Sequence, residues 1–315
     1  FRGMARFRLT SCDHNHIRMM TSNAKIIVKT SLQPAAAEIR AGQSIELLKE
    51  LHILTREGKL NQDTRRKLKQ VYHLYGFIEK LMLEICQSGK PFSLADHGAG
   101  KSYLGFILYD LFFNDQRPVA TNALREGHIY GIETRSDLVQ KSQELAERLG
   151  FKNMSFINMS VEQATHANAL PDHIDIVTAL HACDTATDDA IDFGLKKTAK
   201  YMVLVPCCQA ELAACLRNKR GLEIAKKPLT ELWRHPLHTR ELGSQITNVV
   251  RCLYLEACGD QVTVTELVGW EHSLKNELIL AKFTGIKKST SANHLREILL
   301  QFGLEQVLHT RYHLL

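Results

Sequence analysis

The chain has 315 residues, 44% of them apolar and 23% charged, with Lys+Arg 40 against Asp+Glu 34 and a net charge of +6. That is the composition of an ordinary globular protein, sized for one core domain with appended segments or for two domains. The mild basic excess is compatible with nucleic acid but not diagnostic of it. Eight cysteines, at Cys12, Cys86, Cys183, Cys207, Cys208, Cys215, Cys252 and Cys258, form no C-x-x-C pair, and several sit in apolar runs. This pattern argues against a disulfide framework and leads us to expect a reduced, cytoplasmic protein. No apolar run approaches the ~20 residues of a membrane span. The N-terminal FRGMARFRLTSCDHNH lacks a continuous apolar region, so no secretory signal is expected.

In chain order, residues 1–23 are expected to be disordered or not native, since Met4 and even Met20 are possible starts. Ala24–Leu32 is expected as a short strand. Apolar residues at Ile45, Leu47, Leu48, Leu51 and Leu54 predict a helix. A longer helix is predicted from Leu60 to Cys86, with Leu68, Val71, Tyr72, Tyr75, Ile78, Leu81, Met82 and Ile85 at three- and four-residue spacing. Its first turns carry Arg65, Arg66, Lys67 and Lys69, a solvated face or an RNA-facing patch. Ser88-Gly89-Lys90-Pro91 breaks that helix, and residues 24–90 are assigned to an N-terminal helical cap.

The stretch PFSLADHGAGKSYLGFILYDL, Pro91–Leu111, reads as a strand ending at Asp96, a glycine turn Gly98-Ala99-Gly100, and a helix with Leu104, Ile107, Leu108 and Leu111 on one face. A turn without Cβ atoms lets a ligand approach the backbone at the carboxyl end of a strand. A P-loop would need glycine at Ala95, and a dinucleotide fingerprint would need glycine at Tyr103.

His128–Glu133 is a second strand ending in an acid, suited to accept from both ribose hydroxyls. The helix Ser136–Leu149 and a strand Asn153–Ser160 follow. Ile174–Leu180 is a near-continuous apolar run, read as a strand buried on both faces. It leads into His181-Ala182-Cys183-Asp184 and a helix from about Asp188 to Thr198. Asp188 reads as a cap or first-turn acid of that helix. Tyr201–Val205 is a fifth strand, ending at Pro206-Cys207-Cys208-Gln209. A helix Ile246–Cys258, strands Val262–Leu267 and Leu278–Phe283, and a last amphipathic helix over 290–303 complete the chain. The alternation predicts an α/β fold, a doubly wound sheet with ligands outside the carboxyl ends of its strands.

DHGAGKSYL, the Glu133 strand, LHACDTATDDAI, VPCCQ and GWEHSLKNELILAKF occur in this order over residues 90–284. The set resembles class I S-adenosylmethionine (SAM)-dependent methyltransferases, in a methyltransferase-like branch distantly related to tRNA ribose 2′-O-methyltransferases. The tRNA enzymes tend to have Gly where this chain has Asp184, and a His-containing pair where it has Gln209-Ala210. The resemblance implies a seven-strand Rossmann-like methyltransferase sheet over 91–285; residues 286–315, with their amphipathic pattern, are assigned to a C-terminal helical extension. It implies SAM as cofactor, with Asp96, Gly98 and Gly100 at its methionine end, Glu133 at the ribose, and Ser160 and Val161 at the adenine. His181 and Asp184 are the candidate catalytic residues, a general base and its orienting partner, or a loop held by its own hydrogen bonds. No metal site is expected, because adjacent Cys207 and Cys208 cannot easily aim both thiolates at one ion. RNA is the expected substrate. A protein or small-molecule substrate, a SAM-binding non-catalytic partner protein and a P-loop hydrolase are the alternatives.

Overall fold

A computed structural model describes residues 38–114, 125–180, 182–206, 209–218, 228–267 and 277–312, all within one compact unit, Leu32–Leu315. The expected strand at Ala24–Leu32 and the candidate residues His181, Cys207 and Cys208 lie outside the described residues.

Helix α1 (Ile45–Glu50) starts where the Ser44 side chain accepts the Leu47 N–H, and it buries Leu47 and Leu48. Helix α2 (Gln62–Gln87) opens with a capping box between Asn61 and Thr64, which satisfies two otherwise orphaned N–H donors. It buries Leu68, Val71, Leu74, Tyr75, Ile78, Met82 and Ile85 at helical spacing. Gly89, at φ +76°, lies just beyond its end and Pro91 follows.

From there strands and helices alternate: β1 (Phe92–His97), α3 (Tyr103–Phe113), β2 (Gly127–Glu133), α4 (Ser136–Leu149), β3 (Met154–Asn158), α5 (Val161–His166), β4 (Ile176–Leu180), α6 (Ala186–Lys196), β5 (Tyr201–Val205) and α7 (Glu211–Asn218). A 3-10 turn, Pro228–Trp233, leads to α8 (Pro236–Cys258). Then come β6 (Asp260–Glu266), β7 (Glu277–Phe283), α9 (Ser289–Gln301) and α10 (Glu305–Arg311).

The strands form one seven-stranded sheet in the order β3-β2-β1-β4-β5-β7-β6. β1 to β5 are parallel, and β7 is antiparallel to both β5 and β6. One face is covered by α1 to α4, whose buried residues share a core with Phe92, Leu94, Ile129 and Ile176. The helices before residue 90 are therefore packed into the same core as the sheet. Tyr75 of α2 donates its hydroxyl to the Leu111 carbonyl of α3 at 3.1 Å. The other face carries α5, α6, α7, α8, α9 and α10 around Val177, Met202, Leu204 and Ile279.

Three elements were not legible from apolar spacing. α5 is a short helix, and α7 is closed at its start by a side chain from elsewhere in the chain. The first half of α8 contributes buried Thr239 and Gly243 rather than large apolar residues. At Gly243 a Cβ would lie 2.8 Å from the Ala213 backbone nitrogen, so α7 and α8 cross at close range only because glycine stands there.

Candidate functional site

The parallel strands β1 to β5 bring Asp96, Glu133, Ser160, the 182–185 loop and Pro206 to one edge, their carboxyl ends. Asp96 pairs in register with Thr178 of β4, and the Thr178 hydroxyl donates to its carboxylate at 2.7 Å. At 2% exposure, burial pushes the Asp96 carboxyl up to about 7, against the opposing hydrogen bond from Thr178. Between the unfolded value near 4 and about 7, the folded chain therefore holds a proton that the unfolded chain has released. Stability without cofactor is expected to fall as pH rises through this window. The neutral isostere Asp96→Asn should remove the Asp96 share of that slope and gain about 2 kcal/mol or more at pH 8. Urea unfolding of both proteins at pH 5 and pH 8 measures this, and parallel pH profiles would refute it.

Beyond Asp96 the chain turns at Gly98 (φ +62°) and Gly100 (φ +56°), in the left-handed region that glycine enters without strain. The Ala99 N–H donates to the Ile132 carbonyl at 3.2 Å and the Gly100 N–H to Glu133 Oε2 at 2.8 Å. The end of β2 is thus tied to the glycine turn. The other Glu133 oxygen, Oε1, accepts the Arg135 N–H at 3.1 Å and the Arg135 guanidinium Nε at 3.3 Å. Burial is the largest single influence on Glu133 and opposes ionisation. The combined donors from Arg135 and Gly100 outweigh it and hold the carboxyl below its ordinary value. Oε1 also accepts the Thr134 hydroxyl at 3.2 Å. Glu133 therefore stands ionised beside two left-handed glycines, with Oε2 left to accept one further hydroxyl.

A residue that sequence reading passed over fixes the next loop. The Asn158 amide donates to the carbonyls of Glu133 and Thr134 at 3.1 and 2.8 Å, joining the ends of β2 and β3. Ser160 is the N-cap of α5 in a capping box with Gln163, so its oxygen accepts the Gln163 N–H. Val161 is the first residue of that helix, a position whose N–H has no intrahelical acceptor.

Asp184 adopts φ +54° and places Oδ1 2.9 Å from the Ala210 nitrogen and 3.1 Å from the Glu211 nitrogen. Its carboxylate thereby caps α7 from across the edge, linking the loop after β4 to the loop after β5. Its carbonyl accepts Arg251 Nη2 at 2.7 Å. Arg251, fully buried on α8, also forms a two-pronged pair with Asp188, Nε to Oδ1 at 2.8 Å and Nη2 to Oδ2 at 2.6 Å. Its Nη1 reaches Asn248 Oδ1 at 3.1 Å, and the Asn248 amide donates to Glu277 at the start of β7 at 2.6 Å. Gln209 joins through Asn248 and Ser244. One polar network therefore underlies the loops after β4 and β5 and the entry to β7. Its signal in the sequence was a stripe, Ser244, Asn248 and Arg251, at four- and three-residue spacing on α8, invisible to a reading that counted only apolar residues.

Five parallel strands, a glycine turn after β1, an acid after β2 and an antiparallel β7 inserted beside β5 define the class I SAM-dependent methyltransferase fold. Residues 66–215 match the model of a family described as a methyltransferase domain. The chain is similar to the Glutathione S-transferase C-terminal domain-containing proteins of Macaca fascicularis and Homo sapiens. Each is 22% identical over 243 residues, covering 71% of this chain and 34% of the relative. The chain thus spans about a third of the length of these curated relatives. Among solved structures, magnesium protoporphyrin IX methyltransferase from Synechocystis is 12% identical with a TM-score of 0.41, covering 76% of this chain and 94% of that one. An rRNA methylase from Streptococcus thermophilus is 11% identical with a TM-score of 0.37, covering 66% and 95%.

The residues fit SAM as the cofactor. Glu133 supplies an ionised acceptor with room for a ligand hydroxyl on Oε2, and the turn at Gly98 and Gly100 carries no side chains that would crowd a ligand. Glu133→Ala is expected to weaken SAM binding by on the order of 10- to 100-fold, the loss of a hydrogen bond to a charged group. Calorimetry and a thermal melt check this together, and unchanged affinity in the folded variant would rule out the ribose assignment.

Proposed function

We propose that this chain transfers a methyl group from SAM to RNA. The observation that carries the cofactor part is the Glu133 carboxylate, held ionised and tied to Gly100 at the edge of the sheet. In this reading Asp96, Gly98 and Gly100 hold the methionine end, Glu133 the ribose, and Ser160 with the Val161 N–H the adenine. When bound, SAM supplies an electrophilic methyl on a sulfonium sulfur, and the protein's task is to hold the acceptor in line with it and take up any proton the acceptor loses. Asp184 acts in this scheme by positioning, since its carboxylate joins the two loops that flank the methyl end.

The preference for RNA is supported by the motif resemblance and by exposed Arg66, Lys67 and Lys69 on the first turns of α2. A second reading is favoured by one observation. The Asp184 carboxylate already accepts two backbone N–H groups, which suits a SAM-binding partner protein that does no chemistry itself. Two measurements test the proposal in order. The purified chain is titrated with SAM and with ATP-Mg, where SAM binding is expected and tight ATP-Mg binding would point back to a P-loop. It is then incubated with methyl-labelled SAM and total cellular RNA, protein or small-molecule extract. Label in RNA is expected. Label only in another fraction overturns the substrate, and SAM binding without any label supports the partner-protein reading.

A further inference from the structure

The opposite edge of the sheet carries a second site. β7 runs antiparallel to β5 with Tyr201 opposite Lys282, so Phe283 and its partner Asp260 lie where the parallel strands begin, away from Glu133 and the glycine turn. A cavity of about 590 Å³ opens there between the end of α6, the end of α8 and the start of α9. That is within the roughly 300–1,000 Å³ of small-molecule sites.

Asp260 lines this cavity at 1% exposure, and among the described residues neither of its carboxylate oxygens has a hydrogen-bond donor. An ionisable group buried without partners is costly, and burial alone pushes this carboxyl up to about 6. Two free oxygens on one carboxylate are best satisfied by two parallel N–H donors. The walls include the rings of Tyr254 and Phe283, the latter 45% exposed, which suits a flat ligand.

The rim is basic. Lys196 and Lys288 are paired with Asp192 and Glu256 at 3.1 and 2.8 Å. Lys287 and Arg296 line the cavity too, and among the described residues neither is in an ion pair. Ser289, in the first turn of α9, lines the same mouth, and the N-cap residue Lys288 makes no side-chain capping hydrogen bond. A cationic guanidinium would satisfy Asp260 but would be repelled by this rim. A neutral ring with an adjacent N–H pair and an anionic tail satisfies both ends.

We propose that this cavity binds a guanine nucleotide, its N1–H and N2–H groups donating to Asp260 and its phosphate meeting Lys287, Arg296 and the start of α9. Adenine and hypoxanthine lack the paired donors, so the site discriminates among purines. The site is independent of the SAM reading.

Calorimetric titration of the full chain with GMP, AMP and IMP tests this. GMP is expected to bind saturably, about tenfold or more tighter than AMP or IMP. Asp260→Asn is expected to reduce GMP to the level of AMP while leaving SAM affinity unchanged. This variant keeps the side-chain shape and removes the buried charge, so its melting temperature should be at least that of the parent. Competition with the dinucleotide GpA separates two sources of the same chemistry. Displacement of GMP marks a guanosine delivered in RNA, and failure to displace it marks a free nucleotide. Absence of saturable GMP binding, equal affinity for GMP and AMP, or an Asp260→Asn chain that binds GMP like the parent would each overturn the proposal.

Discussion

Replacing Gly98 by arginine is expected to abolish SAM binding, by 1,000-fold or more, in a chain that still folds. Gly98 has φ +62°, a conformation that costs an L-residue about 1–2 kcal/mol. That is affordable for a domain stabilised by about 5–15 kcal/mol. A Cβ at this position would lie 3.6 Å from the Ala182 Cβ, which is ordinary contact. The first side-chain atom therefore fits, and alanine at this site should cost little beyond the backbone strain. A longer side chain would extend from the turn that a ligand would approach. It also brings a positive charge to a pocket meant for a sulfonium and an ammonium. The graded pair Gly98→Ala and Gly98→Arg separates backbone strain from occlusion. Melting temperatures of both variants, measured beside SAM titrations, provide the check. SAM affinity preserved in a folded Gly98→Arg chain would show that the cofactor does not lie over this turn.

The parts of this molecule that could be read in advance are those in which a local pattern has one physical meaning. β4 and β5 are apolar runs buried on both faces, which only the interior of a parallel sheet accommodates. The acid at Glu133 and the glycines at 98 and 100 are each explained by one loop, so their meeting at 2.8 Å follows from two adjacent parallel strands. What could not be read depends on residues far apart in the chain. Asp184 lies 26 residues before the N–H group of Ala210 that it caps, and no local signal announces a helix capped by a distant side chain. Asp188 has the spacing of a first-turn acid, and it is one. Its partner Arg251 is 63 residues on, inside a helix whose apolar periodicity hides a buried cation.

That pair supplies the largest effect on stability. Arg251→Met is expected to destabilise the fold by about 3–5 kcal/mol, because it strands a buried carboxylate. Among the described residues Asp188 would keep the Tyr312 hydroxyl at 3.2 Å, and the Asp184 carbonyl and Asn248 would each lose a donor. The pair as a whole need not be worth that much. Taking a guanidinium and a carboxylate out of water is itself expensive, and apolar residues of similar volume often replace such pairs at no net cost. The double variant Arg251→Met with Asp188→Leu is therefore expected to recover more than half of the loss. Urea unfolding of the parent, both single variants and the double variant closes the cycle. A loss below about 1 kcal/mol in Arg251→Met, within the range of surface ion pairs, would mean that the pair is solvated in solution. The network would then not be what holds the loops after β4 and β5 together. A large single loss without recovery would place the cost in the Asp184 carbonyl and Asn248. In that case Arg251 would matter chiefly as the anchor of the loop that carries Asp184, and the stability of the fold would be tied directly to the shape of the edge proposed to hold the cofactor.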